Sequence, residues 1–227
     1  MAVIRRPQMV LIDLDGTLVD SVPDLAYCVD TMMAKLDRPA WGEERVREWV
    51  GNGVERLVRR ALIGQLHGEP DEGAFARALP IFMELYTQNV CVRSFLYPGV
   101  EEGLRYLRTA KFKVACVTNK ASRFTDPLLK QLGIYDQFDL VVSGDTTAKK
   151  KPDPMPLLYA AQQCGVAPSA SLMVGDSSND VTAARSAGFQ IVCVPYGYNH
   201  GEDIRLSKPD VVIESLAELR LLLDQAT

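Results

Sequence analysis

From residue 97 onward the chain alternates short apolar runs with helix-patterned segments, and this alternation restricts the possible folds more than any other feature. Helical spacing of apolar residues is read over 100–110, 122–132, 154–164, 180–187 and 216–223, with strand-like runs over 112–117, 138–142, 171–174, 190–194 and 210–213. Repeated strand and helix units predict an α/β fold with a doubly wound, Rossmann-like parallel sheet. The run Met9-Val10-Leu11-Ile12 joins the set: it carries no polar alternation, as a strand buried on both faces requires. Between that run and the alternating part lies a different pattern. Leu25, Val29, Met32, Met33 and Leu36 keep helical spacing until Asp37-Arg38-Pro39. Val54, Leu57, Val58, Ala61 and Leu62 form a second apolar face after Gly51-Asn52-Gly53, and Phe75, Leu79, Phe82 and Tyr86 a third over 74–90. Ser21 is expected as the N-cap of the first helix, with Pro23 in its first turn and Asp24 three residues after the cap. Residues 1–19 and 95–227 therefore read as one α/β core, and 20–94 as a helical domain inserted after its first strand.

In open parallel sheets, ligands bind in the crevice beyond the carboxyl ends of the strands, so the residues ending each strand are read together. The first run ends in Asp13-Leu14-Asp15-Gly16-Thr17, two carboxylates one residue apart, which repel unless a cation lies near. The run at 112–117 ends in Thr118-Asn119-Lys120, offering a hydroxyl, an amide and backbone N–H groups suited to phosphate oxygens. Lys149-Lys150-Lys151-Pro152 places fixed positive charge ahead of a helix, and the run at 171–174 ends in Gly175-Asp176-Ser177-Ser178-Asn179-Asp180. Each piece has a plain structural alternative: a turn, a strand end, a solvated loop, an acidic first helical turn. Together they supply the parts of a magnesium-dependent phosphoryl-transfer site.

The net charge of −4, with 47% hydrophobic and 24% charged residues, gives no electrostatic footprint for nucleic acid or an anionic membrane. No apolar stretch approaches the roughly 18 residues of a membrane span, and Met1-Ala2-Val3-Ile4-Arg5-Arg6 lacks the apolar segment of a secretory leader, so a cytoplasmic setting is expected. The five cysteines are scattered without metal-ligand spacing and read as buried thiols; His67 and His200 lie in polar, Gly-rich stretches and read as surface residues.

Asp13-Leu14-Asp15-Gly16-Thr17, Thr118-Asn119, Lys151-Pro152 and the 175–180 segment resemble the four motifs of the haloacid dehalogenase superfamily, and the helical block at 20–94 is placed like that family's first-type cap domain. More narrowly, the segments 20–25, 49–53 and 196–198 resemble bacterial phosphoglycolate phosphatases. The resemblance implies Asp13 as nucleophile and Asp15 as general acid and base. It implies Mg²⁺ held by Asp13, the backbone carbonyl of Asp15 and Asp176, with Asp180 behind them. It implies Thr118 and Asn119 on the phosphoryl oxygens and Lys151 as the balancing charge. In the cap, Gly51, Asn52 and Gly53 offer backbone donors, and Arg56, Arg59 or Arg60 could meet a substrate carboxylate; the alternative is a solvated basic face.

The expected partner is a small phosphorylated metabolite, 2-phosphoglycolate above others, with neither nucleic acid nor membrane and with monomer and homodimer both open. A same-fold phosphatase or mutase for a sugar phosphate or another small ester is the alternative, and a non-catalytic Mg²⁺ or phosphate-binding regulator a remote one. A dehalogenase would not need Asp15, Asp176 and Asp180.

Overall fold

The computed structural model describes residues 4–226. The opening Met1-Ala2-Val3, part of the segment read above against a secretory leader, lies outside the described residues. The chain starts with β1 (Met9–Ile12), then a short β2 (Val19–Asp20), and four helices, α1 (Val22–Lys35), α2 (Glu43–Trp49), α3 (Val54–Ile63) and α4 (Glu72–Gln88). It returns through β3 (Phe95–Leu96) and then alternates: α5 (Val100–Thr109), β4 (Lys113–Val117), α6 (Ser122–Gln131), β5 (Leu140–Val142), α7 (Met155–Cys164), β6 (Ser171–Gly175), α8 (Ser178–Ala187), β7 (Gln190–Cys193), β8 (Val211–Val212) and α9 (Leu219–Asp224).

Six strands form one parallel sheet in the order β5-β4-β1-β6-β7-β8. β1 lies at its centre, between β4 and β6, and the chain winds outward from it in both directions. This is the switch point at which such sheets open a crevice. The period of two along the strands sorts the core. Val10, Ile12, Val114, Cys116, Leu172 and Val174 pack with α5, α6 and α9 on one face. Met9, Leu11, Ala115, Val117 and Met173 pack with α7 and α8 on the other. All four residues of β1 are fully buried, which is why the run is continuously apolar. At about 1.5–3 kcal/mol for each fully buried aliphatic side chain, such runs dominate the stabilisation of the sheet.

Three local expectations are corrected. First, α2 falls in a part of the helical block to which the spacing assigns no helix: it has seven residues and buries only Val46 and Trp49, too few for a periodic pattern to register. Its start is set by tertiary contacts. The Asp30 carboxylate accepts from the Trp41 and Gly42 N–H groups (2.8 and 3.2 Å), while the Trp41 indole N–H donates to the Ala61 carbonyl at 2.8 Å. Second, β2 and β3 pair antiparallel, Val19 with Leu96 and Asp20 with Phe95, so the two connections between helical block and sheet form one ribbon. Third, Ser21 makes no side-chain cap. Its hydroxyl donates to Asp15 Oδ1 at 2.7 Å. Asp24 serves neither as a cap: its buried carboxylate accepts the Val92, Arg93 and Ser94 N–H groups at 2.8–3.0 Å, tying α1 to the returning chain. Helix starts read from spacing alone miss these bonds because the Asp24 partners lie 68–70 residues away and the Asp15 partner of Ser21 belongs to the turn after β1.

Candidate active site

The strand ends converge as the sheet topology requires. Asp13 follows β1 directly, and its N–H donates to the Val174 carbonyl of β6 at 2.9 Å. Opposite it stands Lys151, in the loop leading to α7. The Lys151 ammonium lies 2.8 Å from Asp13 Oδ1 and 2.7 Å from Asp180 Oδ1, and donates to the Val117 carbonyl at 2.7 Å. Asp180 is fully buried in the first turn of α8, where its other oxygen accepts from the Ser177 N–H and hydroxyl (3.1 and 2.7 Å). One carboxylate thus completes a capping box and holds the lysine. Asp176, at the end of β6, accepts from the Thr17 hydroxyl and from the Tyr198 N–H, each at 2.6 Å. Gly16 sits at φ +88°, and a Cβ there would overlap the Asp176 carboxylate, so the turn after Asp15 needs glycine for both conformation and space.

Carboxylate oxygens of Asp13, Asp176 and Asp180 lie within 4.8 Å of one another. Burial pushes the Asp13 carboxyl up to about 7, against the pull of Lys151 and with the help of Asp180. Burial raises Asp176 well above the usual carboxylate range as well, followed by the charges of Asp180 and Asp13. Burial alone would lower Lys151, but the Asp13 and Asp180 carboxylates outweigh it and hold the ammonium charged. Lys151 is one positive charge, paired with Asp13 and Asp180, beside a cluster of three carboxyl groups of which Asp176 and Asp180 are buried. A hard divalent cation with oxygen ligands fits this donor set.

Asp15 has a separate partner. The Lys120 ammonium lies 3.0 and 3.1 Å from its two oxygens. Thr118, buried at the end of β4, uses its hydroxyl to accept from the Lys120 N–H at 3.1 Å, and the Asn119 side-chain amide donates to the Lys151 carbonyl at 2.9 Å. Asp13, Asp15, Thr118, Asn119, Lys151 and Asp176 all line one cavity of about 60 Å³. A single water needs about 10–15 Å³ by this measure, so the space suits a very small ligand.

Gly51, Asn52 and Gly53 form the opposite wall of that cavity. All three have positive φ (121°, 66° and 90°). They are held from behind by buried Arg60, which donates to the Trp49 and Gly51 carbonyls and to Asn52 Oδ1 at 2.7, 3.3 and 3.1 Å. Arg60 is therefore part of the wall's scaffold. Arg56 pairs with Glu69 at 2.5 Å, and Arg59 with Glu69 and Glu72 at 3.1 and 2.8 Å. Both arginines line an outer groove of about 530 Å³ at the seam and are not among the residues lining the inner cavity.

Three further residues line the cavity without a signal in the sequence that assigns them a role: Lys120, next to Thr118-Asn119, Tyr198 in the 196–198 segment, and His200. His200, read as a surface residue, is half-buried on the cavity wall, and its Nδ1 lies 2.8 Å from the Glu48 carbonyl. Nothing local in the sequence marks it, because its partner lies 152 residues away in α2.

The family model described as haloacid dehalogenase-like hydrolase matches residues 7–188. A protein of Nitrosococcus oceani named phosphoglycolate phosphatase is 59% identical over 98% of this chain and 99% of its own length. One of the same name from Thiobacillus denitrificans is 48% identical, covering 96% of each. Among solved structures, one described as a predicted phosphoglycolate phosphatase from Haemophilus somnus superposes with a TM-score of 0.89 at 36% identity, covering 94% of this chain and 96% of that one.

Proposed function

The chain belongs to the haloacid dehalogenase-like hydrolases, and from that premise we propose that it is a Mg²⁺-dependent phosphomonoester hydrolase. It works through an aspartyl-phosphate on Asp13 and converts 2-phosphoglycolate to glycolate and phosphate. The observation that carries this reading is the placement of Asp13 at the mouth of the central strand, paired with Lys151, facing a small cavity that Asp15 also lines. The names of the similar proteins support the choice of substrate. So does a cavity of about 60 Å³, which suits a short ester better than a nucleotide.

In the first step an Asp13 oxygen attacks phosphorus and the ester P–O bond breaks, while Asp15 gives its proton to the leaving alkoxide. In the second, Asp15 takes a proton from water as the water oxygen attacks phosphorus. The bond to Asp13 then breaks and phosphate leaves. The Thr118 hydroxyl and the Asn119 backbone bind phosphoryl oxygens, and Lys151 offsets the charge on Asp13 and the phosphoryl group. Asp13, Asp176 and the Asp15 carbonyl, with Asp180 behind them, would hold Mg²⁺, which when bound would supply positive charge to the transferring phosphoryl group. Residues 20–94 act as a cap over the core formed by 1–19 and 95–227. Gly51, Asn52 and Gly53 meet the non-phosphate end of the substrate, with Arg56 at the rim. The cap excludes bulk water while the phosphoenzyme exists.

No helix among the described residues is long and apolar enough to cross a membrane, and the setting we infer is the cytoplasm. The test is phosphate release from 2-phosphoglycolate beside sugar phosphates, nucleotides and pyrophosphate, with Mg²⁺ and with chelator. We expect 2-phosphoglycolate to have the highest kcat/KM, chelator to stop turnover, and Asp13→Asn to abolish it. A sugar phosphate preferred by tenfold would replace the substrate, and near-native turnover by Asp13→Asn would refute the mechanism.

A further inference from the structure

The two carboxylates of the Asp13-Leu14-Asp15 pair do not share a cation: each has its own buried lysine. Lys151 serves Asp13 and Asp180. Lys120 has Asp15 as its one carboxylate partner among the described residues. Its side chain is 3% exposed, and burying an ammonium costs several kcal/mol unless the site compensates it. An aliphatic residue of similar length would pack there without that cost, so packing does not account for the lysine.

Lys120 is also fixed from every side. Its N–H donates to the Thr118 hydroxyl (3.1 Å), and its carbonyl accepts from the Gly144 N–H (2.7 Å) and the Thr125 hydroxyl (3.1 Å). The backbone is thereby pinned between β4 and α6. At the other end the ammonium lies 5.0 Å from the centroid of the Tyr86 ring, a cation–π contact. Tyr86 is a fully buried residue of α4, in the helical block, and packs at 4.7 Å on Phe124 of the core helix α6. The Lys120 ammonium is the charge nearest both the ring and the buried hydroxyl of Tyr86. The second donor on Asp15, the Ser21 hydroxyl, comes from the residue immediately after the β2–β3 ribbon.

Resting on the reading of Asp15 as general acid and base, we propose that Lys120 is the positioning residue for that carboxyl. Tyr86 of the helical block and the backbone bonds of the core hold Lys120 from both sides, and the lysine in turn aims Asp15 into the cavity. Two lysine contacts and one serine contact fix the Asp15 side chain at a single orientation beside the leaving-group oxygen.

The proposal separates esters by leaving group. An alkoxide such as glycolate needs a proton as the P–O bond breaks, whereas p-nitrophenolate leaves without one. In single-turnover rapid-quench experiments, Lys120→Met is expected to slow glycolate formation from 2-phosphoglycolate about 10- to 100-fold. That loss should exceed, by about tenfold or more, the loss in the p-nitrophenolate burst from p-nitrophenyl phosphate. Should Lys120→Met fail to fold, Lys120→Gln, which keeps donors without the charge, is read in the same way. Equal losses on both esters, or a raised KM with unchanged rates, would overturn the proposal, the latter making Lys120 a substrate-binding group. Asp15→Asn is measured alongside. If it shows no preference between the esters, the acid–base reading of Asp15 falls and this proposal with it. If it does and the Lys120 variants do not, only the positioning role falls.

Discussion

Lys151 and Asp180 form a fully enclosed ion pair, 2.7 Å from Nζ to Oδ1, with side chains 2% and 0% exposed. Such a pair contributes little net stability over a well-packed apolar replacement, but losing one member leaves a buried charge uncompensated. Asp180→Ala also removes the Ser177 capping bonds. We expect it to lower the unfolding free energy by about 3–5 kcal/mol, read as a reduced urea midpoint at unchanged m-value. A loss under 1 kcal/mol would show that the lysine is carried by Asp13 and the Val117 carbonyl alone.

Gly16 provides a sharper steric test. Alanine there must hold φ near +88° and overlap the Asp176 carboxylate. The expected cost is about 1–3 kcal/mol for the backbone alone. Activity should fall further than stability, because the methyl group displaces a proposed metal ligand. A Gly16→Ala enzyme with native Tm and turnover would be incompatible with the geometry of the turn.

Metal binding to a folded site raises stability by mass action, RT ln(1 + [L]/Kd), about 2.7 kcal/mol at a hundredfold excess over Kd. Thermal unfolding should therefore shift upward with Mg²⁺ concentration and return on adding chelator. In Asp176→Asn, which keeps the shape but removes one negative charge, that shift should shrink or vanish. The metal-free variant should be at least as stable as the metal-free parent, since the crowding of Asp13, Asp176 and Asp180 is relieved. An undiminished shift would assign the cation elsewhere.

His200 makes stability depend on pH at the seam between helical block and core. Burial, with Arg60 and His67 adding positive charge nearby, holds its pKa below the ordinary 6.5, against the Glu48 carbonyl and Glu202. The folded protein thus binds this proton less readily than the unfolded chain. Its contribution is complete above pH 6.5 and is lost as pH falls from there through the depressed folded value. Comparing urea unfolding of the parent and His200→Asn between pH 5 and 7.5, the difference should narrow toward the acid end. A difference that grows on acidification would mean that the imidazolium is favoured in the fold.

The strand ends were legible from the sequence because topology alone collects them. Once β1 is central and parallel to its neighbours, Asp13, Thr118 and Asp176 must emerge at one edge whatever the details of packing. The continuous apolar runs followed by polar residues therefore mark the sheet and the strand ends of the candidate site, and the comparisons with known proteins bear out the fold and family. The Gly51-Asn52-Gly53 wall was legible too, though for its turn chemistry and not for Arg60, whose buried scaffolding role no surface-like spacing reveals.

What the tertiary structure alone decided are the pairings across long sequence separations. Asp24 belongs to residues 92–94 and His200 to Glu48. Lys120 faces Asp15 from 105 residues away, under an aromatic ring from the helical block. Strand and helix periodicity is a property of neighbouring residues and is written in the chain. The partner of a buried polar group is chosen by which elements the fold presses together, because only there does desolvation make an unmet hydrogen bond costly enough to select one partner over solvent.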